Sequence, residues 1–442
     1  MRKQIVSFSY ATALAAIAIP SYALEDLNKF NPAISVIFDG LYYHDNVKGT
    51  GPELLEQHNS VLHSDVHDHD EHAHDALTSG FNLRETEIVM SGTVDPYFDA
   101  FLTAALSGDG IELEEAWFQS RNLPAGLQLK GGKFLSGFGY HNEKHTHSWD
   151  FADQNLAYLS LLGDHGLSGN GLQLTWLAPT PFFIQLGAEL LQGEELEKFG
   201  AMLDNEELAE EISAEFDPNG NGEFSVEELN FDSKSGPHLS VAFARFGPDL
   251  GTDHALQFGA SVAHHNDTQS FHEESSGEAF AAQGHANLYG IQAVFKRFPR
   301  SDYGKGGYSL QGEYLRFDAD ERATFHTDST EIGLPISFKQ DAAYVQGSYG
   351  FAPRWQLALR TAAAGIGGTL RKGNEQTETG ISRQHSIALS WYATEFSRLR
   401  LQFSRNDINF GTHDIDTSQD GNFNQVFLQY NLSLGAHGAH TF

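Results

Sequence analysis

The sequence predicts an all-β chain that closes into a transmembrane antiparallel β-barrel of about 16 strands. Three observations carry that reading. Short Pro-containing turns alternate with longer polar loops from Asn31 to Phe442. Segments of roughly 10 residues or slightly more alternate apolar and polar side chains, the dyad pattern of a barrel wall. An export signal opens the chain, and no later segment approaches the roughly 20 apolar residues of a membrane-spanning helix.

The signal is read over residues 1–23. Arg2 and Lys3 give the charged start, Ala11 to Pro20 the apolar run, and Ser21-Tyr22-Ala23 the small residues of a cleavage site. Residues 24–442 are then the barrel, integral to the outer membrane of a Gram-negative bacterium. The chain has no cysteine, which removes disulfides and thiolate metal sites. A net charge of −32 argues against nucleic acid as a partner and favours cations near the surface. No nucleophile–base pairing has usable spacing, so no enzymatic activity is expected.

The short turns stand at Asp95-Pro96, Asn122-Leu123-Pro124, Pro179 to Pro181, Gly247-Pro248-Asp249, Phe298-Pro299-Arg300, Ala352-Pro353-Arg354 and Glu395-Phe396-Ser397. Proline suits them because it fixes φ and lacks the donor that a central strand needs. Tyr97, Phe98, Trp176, Phe182, Phe246, Phe351, Trp355 and Trp391 flank them as an interfacial girdle would. Strands are expected at 31–43, 81–94, 97–107, 111–122, 126–138, 169–178, 182–192, 237–247, 254–266, 284–298, 306–319, 336–351, 355–367, 381–394, 398–410 and 423–436. Period two is clearest late in the chain. Val426, Leu428, Tyr430, Leu432 and Leu434 share one face, and Leu399, Leu401 and Phe403 alternate with Arg400, Gln402 and Ser404. The alternation is ambiguous in the second and fourth strands. The C-terminal strand is the segment expected to engage the barrel assembly machinery, and the outer face to meet outer-membrane lipid.

Three loops carry candidate chemistry. The first long loop holds His58, His63, His67, His69, His72 and His74 among Asp65, Asp68, Asp70, Glu71 and Asp75, six of the chain's 22 histidines. Imidazole with carboxylate suits zinc, copper or nickel, although a solvated acidic loop has the same composition. Within an external insertion at 194–236, residues 217–228 match the twelve-residue EF-hand calcium loop. Asp217, Asn219 and Asn221 offer side-chain oxygens, Gly222 makes the turn, and Glu223 offers its carbonyl. Ser225 takes the water-linked position and Glu228 closes. A helix over Glu206–Phe216 would enter that loop, with a short exit helix from Val226. The third long loop, 139–168, opens with His141, Glu143, His145, His147, Asp150 and Asp153. The strand count resembles that of trimeric porins, whose third loop folds into the pore. That resemblance implies a homotrimer and places these histidines either at a constriction or in a folded plug where they only hydrogen-bond.

The stretches FNLRETEIVMSGTVDPYFDAFLTAAL, EEAWFQSRNLPAGLQLKGGKFLSGFGYHNEKHTHSWDFAD and GAHGAHTF resemble a proteobacterial outer-membrane family often labelled zinc-regulated, or TonB-dependent, outer-membrane receptors. The resemblance implies a porin-like barrel associated with zinc supply. The resulting expectation is a channel or receptor for uptake of divalent metal ions, zinc first. External histidines would capture the ion, and a negatively lined lumen (Glu85, Glu87, Glu313) would pass it. Arg360 and Arg400 on the predicted lumen face keep open a general diffusion porin with incidental histidines. A barrel-anchored, calcium-dependent surface binding protein is the other alternative.

Overall fold

The computed structural model describes residues 32–47, 51–56, 77–107, 110–194, 196–202, 229–232, 234–273, 279–299, 301–326, 329–409 and 421–435. The signal segment 1–23, the histidine loop 58–75, the calcium-type loop 217–228 and the C-terminal Phe442 lie outside them.

Eighteen strands form one antiparallel sheet. Two of them, Thr369–Lys372 and Glu375–Glu378, form a hairpin that leans on a neighbouring strand and is bypassed by the wall. The remaining sixteen close the barrel. They are β1 (Ala33–Asp45), β2 (Gly80–Thr93), β3 (Phe98–Leu106), β4 (Ile111–Ser120), β5 (Leu127–Leu135), β6 (Ser168–Leu177), β7 (Phe183–Leu191) and β8 (Leu239–Gly247). The second half comprises β9 (His254–Glu273), β10 (Ala279–Arg297), β11 (Tyr308–His326), β12 (Pro335–Ala352), β13 (Trp355–Ala364), β14 (Ser382–Thr394), β15 (Ser397–Asp407) and β16 (Asn422–Gly435). Closure is direct: β1 pairs with β2 on one side and with β16 on the other, from Ser35 opposite Gly435 to Asp45 opposite Gln425. A closed sheet leaves no unpaired edge in lipid.

Every expected strand is present, with ends displaced by up to three residues save at the long-loop ends of β9, β10 and β11. The dyad pattern sorts the faces as expected. Along β15, Leu401 and Phe403 are 52% and 44% exposed while Arg400, Gln402 and Ser404 are fully buried. Apolar side chains therefore face outward along the wall, and the protein is an integral outer-membrane barrel. No helix of the described residues is long and apolar enough to cross a membrane.

Three features depart from the sequence reading. First, β9, β10 and β11 run to 20, 19 and 19 residues, well past the expected ends at 266, 284 and 319. The extension carries polar residues such as Asp267, Thr268, Gln269 and Ser270, which period-two hydrophobicity does not mark as strand. They are buried nonetheless. Part of the 192–238 connection covers them, with the Gln269 N–H donating to the Ala201 carbonyl and Lys234 pairing with Asp267. Second, the described residues of 194–236 contain no α-helix, so the expected helical insertion has no support among them. Third, β-bulges interrupt the alternation, two of them in β2 and β4. Asp39 faces Glu85 and Gly40 faces Leu83, which leaves Arg84 as the extra residue of β2. Thr103 faces Glu115 and Ala104 faces Leu113, which leaves Glu114 as the extra residue of β4. A bulge lets consecutive residues share a face, and this resolves the ambiguous facing of those two strands.

The barrel interior has two unlike halves. Toward the long loops it is an apolar core. Leu288, Leu315, Phe317, Phe338 and Ala342 from the wall pack with Phe138, Leu156, Tyr158 and Leu161 from the segment between β5 and β6. Toward the short turns it is open, with charged and polar side chains set among apolar ones.

Close strand approach makes one glycine decisive. Gly132 has φ +131°, and a Cβ there would lie 2.1 Å from the Ala116 carbonyl oxygen. β4 and β5 pair over only four residues on each side, Gly132 among them. Gly132→Ala should lower the unfolding free energy of the lipid-refolded barrel by about 1–3 kcal/mol. Gly347→Ala, whose Cβ would meet nothing nearer than 3.4 Å, should be neutral in the same urea titration. Equal midpoints for the two variants would contradict this reading of the β4–β5 seam.

Candidate functional site: a loop folded into the lumen

The segment 136–167 leaves β5, crosses the lumen and returns to β6. At its centre is a short helix, Leu156–Leu162. The Asn155 side chain caps it by accepting from the Tyr158 N–H, and Gly163 ends it with φ 81°. All seven helical residues are buried, as expected of a helix apolar on every side. It packs against β12, β13 and the helical turn Gly51–Glu56.

Wall side chains hold this segment from several directions. Glu313 on β11 accepts from the backbone N–H groups of Tyr140 and His141, both at 2.9 Å. It also accepts from the hydroxyls of Tyr158 (2.9 Å) and Tyr344 (2.6 Å). Glu189 on β7 accepts from the Ser136 hydroxyl, the Gly137 N–H and Gln173. On the opposite wall the polarity reverses. Arg360 donates to the Asp153 carboxylate at 2.6 Å, with Gln384 and Gln402 beside it. Arg400 donates to the Trp149 carbonyl at 2.6 Å. Arg360 and Arg400 do face the lumen as expected, but both are bound to the segment and neither lines an open pore.

The expected histidines divide. His141 turns into an aromatic box of Trp149, Tyr158 and Tyr344, with Nε2 2.6 Å from the Gln154 side-chain oxygen. Burial, with Lys144 nearby, pulls its pKa down to about 3, so it stays neutral. His145 and His147 stack on each other and face the acids of β2 and β4. His145 Nε2 lies 2.8 Å from Glu115 and its Nδ1 3.5 Å from Glu114, while His147 Nδ1 lies 2.7 Å from Glu87. Thr146 bonds Glu85 between them. Burial disfavours a charge on His145, yet the hydrogen bonds and charges of Glu114, Glu115 and Glu87 outweigh it and hold the imidazole well above its ordinary pKa. Glu85, Glu87 and Glu313, expected to line an open lumen, are bonded to the inward segment instead.

Below the segment lies a cavity of about 1750 Å³. Pro248, Pro299, Arg354 and Phe396 of the short turns frame it, so it opens at that end. Its charged lining is mixed: Glu115, Glu143, Asp150, Asp249 and Glu395 stand with Lys130, Lys144, Lys296, Arg245, Arg297 and Arg354. This corrects the expectation of a negatively lined lumen. Lys144 lies over the Tyr140 ring at 3.6 Å, and burial together with Lys296 lowers its pKa to about 8.

No protein-family model matches the chain. A protein of Aquifex aeolicus (strain VF5), described only as uncharacterized, is 35% identical over 423 residues, spanning 93% of this chain and 80% of its own length. The chain belongs to that protein's family. Among solved structures, the outer-membrane channel DcaP of Acinetobacter baumannii is similar, with TM-score 0.50 at 12% identity over 92% of this chain and 97% of that one. The anion-selective porin from Comamonas acidovorans aligns with TM-score 0.47 at 12% identity, over 92% of this chain and all of that one. These likenesses concern the fold. The sixteen-stranded wall, similar in fold to DcaP, overturns the resemblance to a TonB-dependent receptor, a class with 22 strands around a plugged lumen. It is a smaller architecture, and its lumen is occupied by the chain's own third long loop.

Two outcomes test this site. Glu313→Gln removes one of two oxygens that serve four donors, and should cost about 2–4 kcal/mol of unfolding free energy. Tyr158→Phe should cost about 1 kcal/mol. An unchanged denaturation midpoint for both would show that Glu313 does not hold the segment. The His141 pKa is about 3 in the folded protein against an ordinary 6.5, so the unfolded chain binds the extra proton between those values. Stability should therefore fall as pH drops from about 6.5 toward 3, and His141→Phe should flatten that slope. An identical pH dependence of the two melting curves would remove His141 as its source.

Proposed function

We propose that this protein is a porin-type outer-membrane channel for small polar solutes, narrowed by its own segment 136–167. The observation that carries this reading is the cavity of about 1750 Å³ at the short-turn end, lined by charged groups of both signs and by polar and apolar side chains. A cavity of mixed lining hydrates solutes of either sign and gives weak charge selection. The apolar half above it supplies the steric limit, because the buried helix Leu156–Leu162 occupies the section toward the long loops. Passage then depends on how tightly the Glu313 and Arg360 contacts hold the segment.

Uptake of divalent metal is the narrower reading. It draws on the face where His145 and His147 meet Glu87, Glu114 and Glu115. The two readings differ in ion selectivity. A general channel gives a small reversal potential in a potassium chloride gradient, and a metal pathway a strongly cation-selective one.

Planar-bilayer recording of the purified barrel tests the proposal. Wild type should show small, weakly selective conductance. Glu313→Gln should raise it about two-fold or more by loosening the segment, and Lys296→Glu should shift the reversal potential toward cation selectivity. Bilayers that stay silent with both wild type and Glu313→Gln would rule out a channel.

A further inference from the structure

We propose that Glu87 on β2, Glu114 on β4 and His145 on the inward segment form a binding site for a divalent first-row transition metal of the zinc type. One ligand atom from each of the three lies within 4.8 Å of the others. A tetrahedral zinc ion with bonds of about 2.0–2.2 Å holds its ligands roughly 3.4 Å apart; the Glu114–His145 pair already stands at 3.5 Å, and the widest pair closes by at most about 1.4 Å.

The surroundings are those of a built site. Glu87 is 1% exposed, and its Oε2 has no hydrogen-bond partner. Glu114 Oε2 is buried and stands 3.5 Å from His145 Nδ1. Each ligand is oriented from behind. His145 Nε2 sits 2.8 Å from Glu115, which itself accepts from the Trp117 indole at 3.0 Å and the Leu135 N–H at 3.2 Å. That is the carboxylate–histidine arrangement that fixes a metal-binding tautomer: the ion would displace the proton of His145 Nδ1 to solvent and leave the other on Nε2, facing Glu115. His147 holds the other Glu87 oxygen at 2.7 Å. The β4 bulge is what turns Glu114 inward next to Glu115.

The chemistry selects the ion. Calcium and magnesium prefer six or more oxygen ligands and gain little from an imidazole. One imidazole and two carboxylates suit zinc-type ions and leave a fourth position for water. A bound dication would also offset the crowding of Glu85, Glu87, Glu114 and Glu115 in a partly dry interior. Because its ligands come from two strands and the segment, the ion would pin the segment to the wall. This holds whether or not the channel conducts.

The test is anomalous diffraction at the zinc edge from crystals of the full chain grown with zinc. Position-specific signal separates this site from histidines elsewhere in the chain. The expected result is a peak bonded to His145 Nδ1 and to the Glu87 and Glu114 carboxylates. In equilibrium dialysis against a competing chelator, Glu114→Gln should bind one zinc equivalent fewer than wild type, and Glu112→Gln the same number as wild type. No peak at saturating zinc overturns the proposal, as does full zinc stoichiometry in Glu114→Gln.

Discussion

A carboxylate buried inside a barrel must be satisfied, and Glu313 is satisfied by groups from the chain's own third long loop. Its four donors are two backbone amides of 136–167, one hydroxyl of that segment and one of the wall. An uncompensated charge at that depth would cost several kcal/mol. The inward path of the segment, the burial of its helix and the division of the lumen into a dry half and a wet half all depend on that requirement. Glu189 repeats the logic on the neighbouring side, and Arg360 repeats it with the charges exchanged.

The two halves of the lumen follow from what each strand presents inward along its length. Near the long loops the inward positions of β10 to β12 are leucine, phenylalanine and alanine, and they pack the helix. Near the short turns they include Ser309, Gln311 and Ser348, which line the cavity. One wall thus serves as a packed core at one end and a hydrated vestibule at the other. Such an interior is stiff where it is apolar and adaptable where it is wet.

Charge placement is the second organising fact. The chain carries a net charge of −32, yet the cavity lining is mixed. Acidic side chains gather instead on the face formed by β2 and β4, where His145 and His147 meet them. Bulges at Arg84 and Glu114 add one inward side chain to each strand beyond what alternation allows. The density of carboxylates there is therefore a product of backbone irregularity and not of sequence period.

The sequence by itself determined the strand number, the strand limits outside the long-loop ends of β9, β10 and β11, and the lipid-facing side of the regular strands. All three rest on local information: the dyad period, proline at turns and aromatics near the interface. The arginines Arg360 and Arg400 were placed on the lumen face for the same reason. Only the tertiary structure decided what those inward groups do, because their partners lie up to 251 positions away, as Trp149 does from Arg400. It also decided the facing of Glu114 and Arg84, since a bulge is defined by the pairing of two strands. The three histidines of the third long loop look alike in sequence. Packing separated His141, neutral in an aromatic box, from His145 and His147 among acids, because the wall opposite each residue differs and nothing local to the loop records it.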